Sequence, residues 1–122
     1  MKHQEVAIFV AALLNSSTAA HFLHLSTKSY AEHKALGHFY EEILDLADSY
    51  AETYQGHYGV IPLEMYPEEF KVQKDGKTYI AALLKFSQTM RKQLPDDTDL
   101  QNIHDEINGL IASTLYKLER FK

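Results

Sequence analysis

Cysteine is absent from the 122 residues, so no disulfide and no thiolate-bound metal is available, and redox chemistry places no constraint on the compartment. Long apolar runs are absent too. The longest, Val6 to Leu14, is too short to span a bilayer, and it lacks the small-residue cleavage site of a secretory signal. Neither end carries a lysine- or arginine-rich run, and the formal net charge of −5 argues against a broad basic face for duplex DNA. The expectation is a cytoplasmic protein attached neither to membrane nor to nucleic acid. What is present is the composition of a soluble globular protein, 45% hydrophobic and 24% charged, in a length suited to a single domain over residues 1–122. Histidine is unusually frequent: there are seven, and four of them fall between positions 21 and 38.

Apolar periodicity predicts four long helices. The first covers roughly residues 3–26, with Val6, Phe9, Leu13, Ala20 and Leu23 on one stripe and Ile8, Ala11, Ala12, Ala19 and Phe22 on the other side. A helix apolar on most sides is buried on more than one side, in a core or against a partner chain. Ser29 with Glu32 fits a capping box that starts the second helix, whose core stripe reads Leu36, Tyr40, Ile43, Ala47, Tyr50 and Tyr54, with Gly56 as its stop. His38, Glu41, Asp45, Asp48 and Glu52 lie on its other side. The third helix runs from about Lys77 to Leu94 with Tyr79, Leu83, Phe86 and Met90 inward, between the Asp75-Gly76 turn signal and Pro95. Thr98 with Gln101 opens the fourth, whose stripe is Leu100, Ile103, Ile107, Leu110, Thr114, Leu118 and Phe121. His104, Asp105 and Glu106 fan around that helix and read as surface.

Connection lengths predict the topology. The first and last helix pairs are joined by roughly three or four residues each, which forces antiparallel hairpins. Between the hairpins lies a stretch of about twenty residues, His57 to Gly76, containing Pro62, Pro67 and a short helical turn expected over Pro67–Lys71. Two antiparallel hairpins joined by one long crossover make an all-α, ferritin-like four-helix bundle.

Four residues carry the chemistry: His21, His33, Asp48 and Glu52. Imidazoles and carboxylates together suit iron, manganese or zinc. Asp48 and Glu52 are four apart, share a helix face and can grip one ion. His21 and His33 flank the first hairpin loop and so come to one end of the helix pair. Yet His33 and Asp48, if on one helix, stand ~22 Å apart at 1.5 Å per residue. No ion bridges that distance. A second copy related by a two-fold axis brings its acids to the first copy's histidines and gives two equivalent sites per dimer. An internal di-iron carboxylate centre is disfavoured, because no Glu-x-x-His occurs in the chain.

The run His21-Phe22, then His33, then Asp48 and Glu52 resembles the Dps family, the miniferritins or starvation-type DNA-protecting proteins, and the resemblance extends through both helices of the first hairpin. Asp96-Asp97-Thr98 and Leu115 to Phe121 are similar to it in pattern. The resemblance implies oxidation of Fe(II), often by hydrogen peroxide, at a site shared by two-fold-related subunits, with His21, His33, Asp48 and Glu52 as ligands and catalytic residues. It also implies storage of the product in a twelve-subunit shell. Two positions depart from the family pattern. Gly37 stands where the family has an acid, with His38 or Glu41 as nearby substitutes, and Phe22 stands where it has tryptophan. The basic tail by which some members hold DNA is missing, so DNA binding is not expected.

The alternative is a non-enzymatic helical assembly or binding protein with a vestigial metal site; a third reading, a DNA-coating protein working without iron, is disfavoured by the charge. Bland readings also stand beside the metal site. A histidine among apolar residues is usually core, and an acidic stripe is usually a solvated face. His24, one turn from His21, reads as a polar hairpin-end residue or a fifth ligand. Tyr30 and Tyr40 are candidates to quench radicals near iron. Zinc and manganese are alternatives for the same donors.

Overall fold

The computed structural model describes residues 3–68 and 74–121. The fold is all-α: α1 (His3–Ser26), α2 (Tyr30–Tyr58), α3 (Gly76–Met90) and α4 (Thr98–Arg120), with 3-10 turns at Leu63–Met65 and Arg91–Gln93. Around the bundle α1 packs on α2, α2 on α4, α4 on α3, and α3 closes on α1. Short links make α1–α2 and α3–α4 antiparallel hairpins. α2 and α4 are antiparallel as well, since His57 and Tyr58 at the end of α2 bond Asp99 and Asp97 at the start of α4. Gly76 at the start of α3 lies beside Leu36 and Glu32 near the start of α2. The connection between α2 and α3 therefore returns the chain along the length of the bundle. The helical turn expected over Pro67–Lys71 falls largely outside the described residues; the turn that is seen comes earlier, at Leu63–Met65.

Capping chemistry sets the boundaries, with three differences from expectation. The Ser29 hydroxyl accepts from the Glu32 N–H and starts α2, but the Ser29 N–H donates to the Thr27 hydroxyl rather than to the Glu32 side chain of a full capping box. The Asp75 carboxylate accepts from both the N–H and the hydroxyl of Thr78 and starts α3, and these bonds hold its pKa below the usual value. α2 runs through Gly56 and stops at Gly59, whose φ of 94° is the left-handed backbone that glycine adopts without penalty. The N-cap of α4 is Asp97 rather than Thr98, but its side chain makes no cap bond; it is taken by the Tyr58 hydroxyl.

The core is built from Phe9 and Leu13 of α1, Leu36, Phe39, Ile43, Tyr50 and Tyr54 of α2, Ile80 of α3, and Leu100, Ile107 and Ile111 of α4. Tyr40, Tyr79, Phe86, Ile103 and Leu110, expected on core stripes, are only partly buried, and Phe121 is exposed. On α3 and α4 the buried face is rotated by about one residue: Ile80 and Ser87 replace Tyr79 and Phe86, and His104 and Ile111 replace Ile103 and Leu110.

His104, read from sequence as surface, is 1% exposed. Burial is affordable because the ring is satisfied. Its Nε2 lies 2.9 Å from the Ser87 carbonyl and 3.0 Å from the Ser87 hydroxyl, and that hydroxyl donates to Asn108 Oδ1 at 2.6 Å. Desolvation holds the His104 pKa below its ordinary value.

α1 as a whole, unlike its longest apolar run, is long and apolar enough by length and composition to cross a membrane, with a mean hydropathy of 1.7 over its most apolar window. Within the bundle 61% of that window is buried, as in a core helix.

Candidate functional site

The first hairpin brings the histidine-rich segment together. His24 and His33 face each other across the α1–α2 junction and clasp reciprocally. His24 Nδ1–H donates to the His33 carbonyl at 2.6 Å, and His33 Nδ1–H donates to the His24 carbonyl at 2.8 Å. The two rings stack with centroids 3.6 Å apart. Because a carbonyl can only accept, both Nδ1 atoms carry a proton, and in the neutral form of such a ring the lone pair is on Nε2. That is the tautomer in which a histidine ligates a metal through Nε2. His21, exposed on α1, lies flat on the Tyr40 ring at 4.1 Å and 6.0 Å from the His24 ring. Tyr30 continues the stack beyond His33 at 6.4 Å. A cavity of about 430 Å³ opens beside this cluster, with His38, Glu41 and Gly37 in its wall.

Asp48 and Glu52 are exposed, one turn apart, further along α2. Among the described residues neither makes a hydrogen bond or an ion pair. α2 is continuous from Tyr30 to Tyr58, so the ~22 Å separation of His33 from Asp48 is the axial distance within one protomer. The fold thus brings His21, His24 and His33 together and leaves Asp48 and Glu52 apart from them.

Apolar side chains are exposed on the same two helices. Ile8, Leu14, Phe22 and Leu25 of α1 are exposed, Phe22 to 53% and Leu25 to 68%. At 100° per residue they lie on the face of α1 that also carries His21. On α2, Leu44 is exposed between His33 and Asp48.

One cluster was not legible in the sequence. His57, Asp97 and Asp99 each offer a donor atom, all within 4.8 Å of one another. The two segments are far apart in the chain and meet only because the end of α2 packs on the start of α4. His57 Nε2–H donates to Asp99 at 2.8 Å and the Tyr58 hydroxyl donates to Asp97 at 2.6 Å. The bond to Asp99 raises the His57 pKa and lowers that of Asp99, and the bond to Asp97 pushes the Tyr58 pKa up to about 12. His57 and Asp99 are exposed and Asp97 is half-buried, and the groups tie two helix ends together.

The model of a family of unknown function, DUF5856, matches residues 24–118, a span that includes His33, Asp48 and Glu52 and begins after His21. The chain is also 30% identical over 110 residues to an uncharacterized 14.6 kDa protein in the mobD-ri intergenic region of Enterobacteria phage T4, covering 90% of this chain and 84% of that protein. No solved structure matches the chain. Matched over most of its length, the chain belongs to the DUF5856 family.

Proposed function

We propose that this is a miniferritin-like protein in which two antiparallel copies join their α1–α2 faces and complete two cation sites, each from His21 and His33 of one protomer and Asp48 and Glu52 of the other. The observation that carries this reading is the distribution of groups on one face: imidazoles at one end of α2, exposed carboxylates toward the other, exposed apolar side chains between. An isologous two-fold contact covers the apolar residues and pairs the two ends in one step. The return of the α2–α3 connection along the bundle supports a ferritin-like arrangement.

The substrate is Fe(II). Two neutral nitrogens and two carboxylates hold a first-row cation, and the negative charge stabilises the trivalent product more than the divalent substrate. With hydrogen peroxide as oxidant, two ferrous ions each give up one electron, the O–O bond breaks, and two protons complete two waters. His33 is preset for its role by the bond from its Nδ1, while His21 is oriented by the flat contact with Tyr40. Storage of ferric product in a larger shell extends the same reading.

The reciprocal histidine clasp is also a complete packing arrangement without any ion, which favours the second reading, a non-enzymatic helical assembly. The two separate in one experiment. Purified protein is expected to bind about one or two irons per subunit and to accelerate peroxide-driven ferrous oxidation. His33→Ala should abolish the acceleration with helicity by circular dichroism unchanged. Equal rates in the two proteins would remove the ferroxidase assignment and leave the assembly.

A further inference from the structure

We infer that His24 is the positioning residue of this site: it fixes the ring of His33, and Gly37 is bare so that His24 can be seated. The inference rests on the metal reading for its purpose but not for its geometry.

A glycine inside a helix gives up stability relative to alanine, and Gly37 lies well inside the 29-residue α2. Its neighbourhood explains the choice. A Cβ at position 37 would stand 3.1 Å from His24 Cε1 and 3.2 Å from His24 Nδ1, closer than ordinary van der Waals contact. Gly56, also in α2, and Gly109 in α4 have nothing within 4 Å of the same construction point, so crowding by an imidazole is particular to position 37.

What the seated ring does follows from its bonds. His24 lies in the last turn of α1, where carbonyls lack helical partners. Its carbonyl is satisfied by His33 Nδ1–H, and its own Nδ1–H spans the hairpin to the His33 carbonyl. The stack at 3.6 Å then holds the His33 ring in plane. Position, rotamer and tautomer of His33 are set together, and outer partners of this kind orient metal-binding histidines.

His24 thus supports His33 through two contacts, the carbonyl that takes the His33 Nδ1–H and the ring stacked on the His33 ring.

The test uses the full chain and cobalt(II) as probe. Nitrogen-15 NMR of the metal-free protein, above the histidine titration range, is expected to show His33 protonated at Nδ1. His24→Ala and Gly37→Ala should each give a mixture of tautomers and a loss of about 10- to 100-fold in cobalt affinity. His24→Asn, which keeps an N–H near the Nδ1 position, should recover part of both. Thermal unfolding adds a readout that simple destabilisation does not mimic: Gly37→Ala should raise the midpoint in the His24→Ala background and fail to raise it with His24 present. A His24→Ala protein with the original tautomer and cobalt affinity would overturn the inference. Absent cobalt binding in the unsubstituted protein, with the tautomer change intact, would instead remove the metal reading and leave the positioning of His33 standing.

Discussion

Replacing Phe9 by alanine should cost about 3–5 kcal/mol of folding stability, the range for a fully buried phenylalanine whose site cannot collapse. Phe9 is 0% exposed and sits where three helices meet. Its ring lies 5.1 Å from the Tyr50 ring of α2, edge-on, and 4.9 Å from the His104 ring of α4. Removal opens a void bordered by one phenol and one imidazole, neither of which can move inward without leaving its own packing or hydrogen bonds. A domain of ordinary stability holds about 5–15 kcal/mol in total, so this one change removes a large share. Chemical denaturation read by circular dichroism measures it. A midpoint close to that of the unsubstituted protein would mean that the α1–α2–α4 junction is not the core described.

Acidification should weaken the fold through His104. Burial holds its pKa below the ordinary value near 6.5, so the native ring stays neutral while the unfolded chain takes up a proton. His104 thus contributes stability in full above about pH 6.5 that is lost as the pH falls toward its folded value, at a slope of up to about 1.4 kcal/mol per pH unit. His57 acts with the opposite sign. Its pKa is raised by Asp99, so its contribution is present below about 6.5 and lost as the pH rises through the folded value. The carboxylates with lowered pKa, Asp75 and Asp99, lose their contributions only below the ordinary carboxylate range, under about pH 4. His57→Ala removes the opposing contribution and leaves that of His104. In that variant stability should fall on going to pH 5. Adding His104→Leu, which leaves the Ser87 hydroxyl its Asn108 partner, should flatten the profile. A steep profile that survives His104→Leu would show that the proton is taken up elsewhere.

Sequence periodicity and connection length carried much of the fold. α1 spans the residues its apolar pattern indicated, and Ser29 starts α2 because its hydroxyl is the local acceptor that a helix start requires. The antiparallel hairpins followed from loops too short for any other course. What was not legible depended on contacts between distant segments. His104 looks exposed when α4 is read by its branched aliphatics alone; the true buried stripe, Leu100, His104, Ile107, Ile111, Thr114 and Leu118, uses the imidazole because Ser87 on α3 supplies its partners. Gly56 carries the composition of a helix stop, but the backbone turns left-handed only at Gly59. Asp97 was hidden as the start of α4 because its carboxylate serves Tyr58 rather than its own helix.

The candidate site divides in the same way. His21 and His33 reach one end of the hairpin, and Asp48 and Glu52 share a turn of α2, as helix geometry requires. The role of His24 was not visible, since one-turn spacing from His21 says nothing about a carbonyl nine residues away that accepts its proton. Gly37, where the miniferritin resemblance leads one to look for an acid, acquires its physical meaning only once the His24 ring is seen above it.

Pairing two differently damaged protomers tests the shared site most directly. In the proposed dimer, His33→Ala protein would lack an imidazole at both shared sites and Asp48→Ala/Glu52→Ala protein would lack the acids at both, so each alone should be inactive in peroxide-driven ferrous oxidation. Unfolded together and refolded in equal amounts, half of the dimers are mixed, and in each mixed dimer one seam joins intact histidines to intact acids. The account predicts recovery of about a quarter of the unsubstituted activity. Oxidation no faster in the mixture than in either parent, with mixed dimers demonstrated by mass, would contradict it.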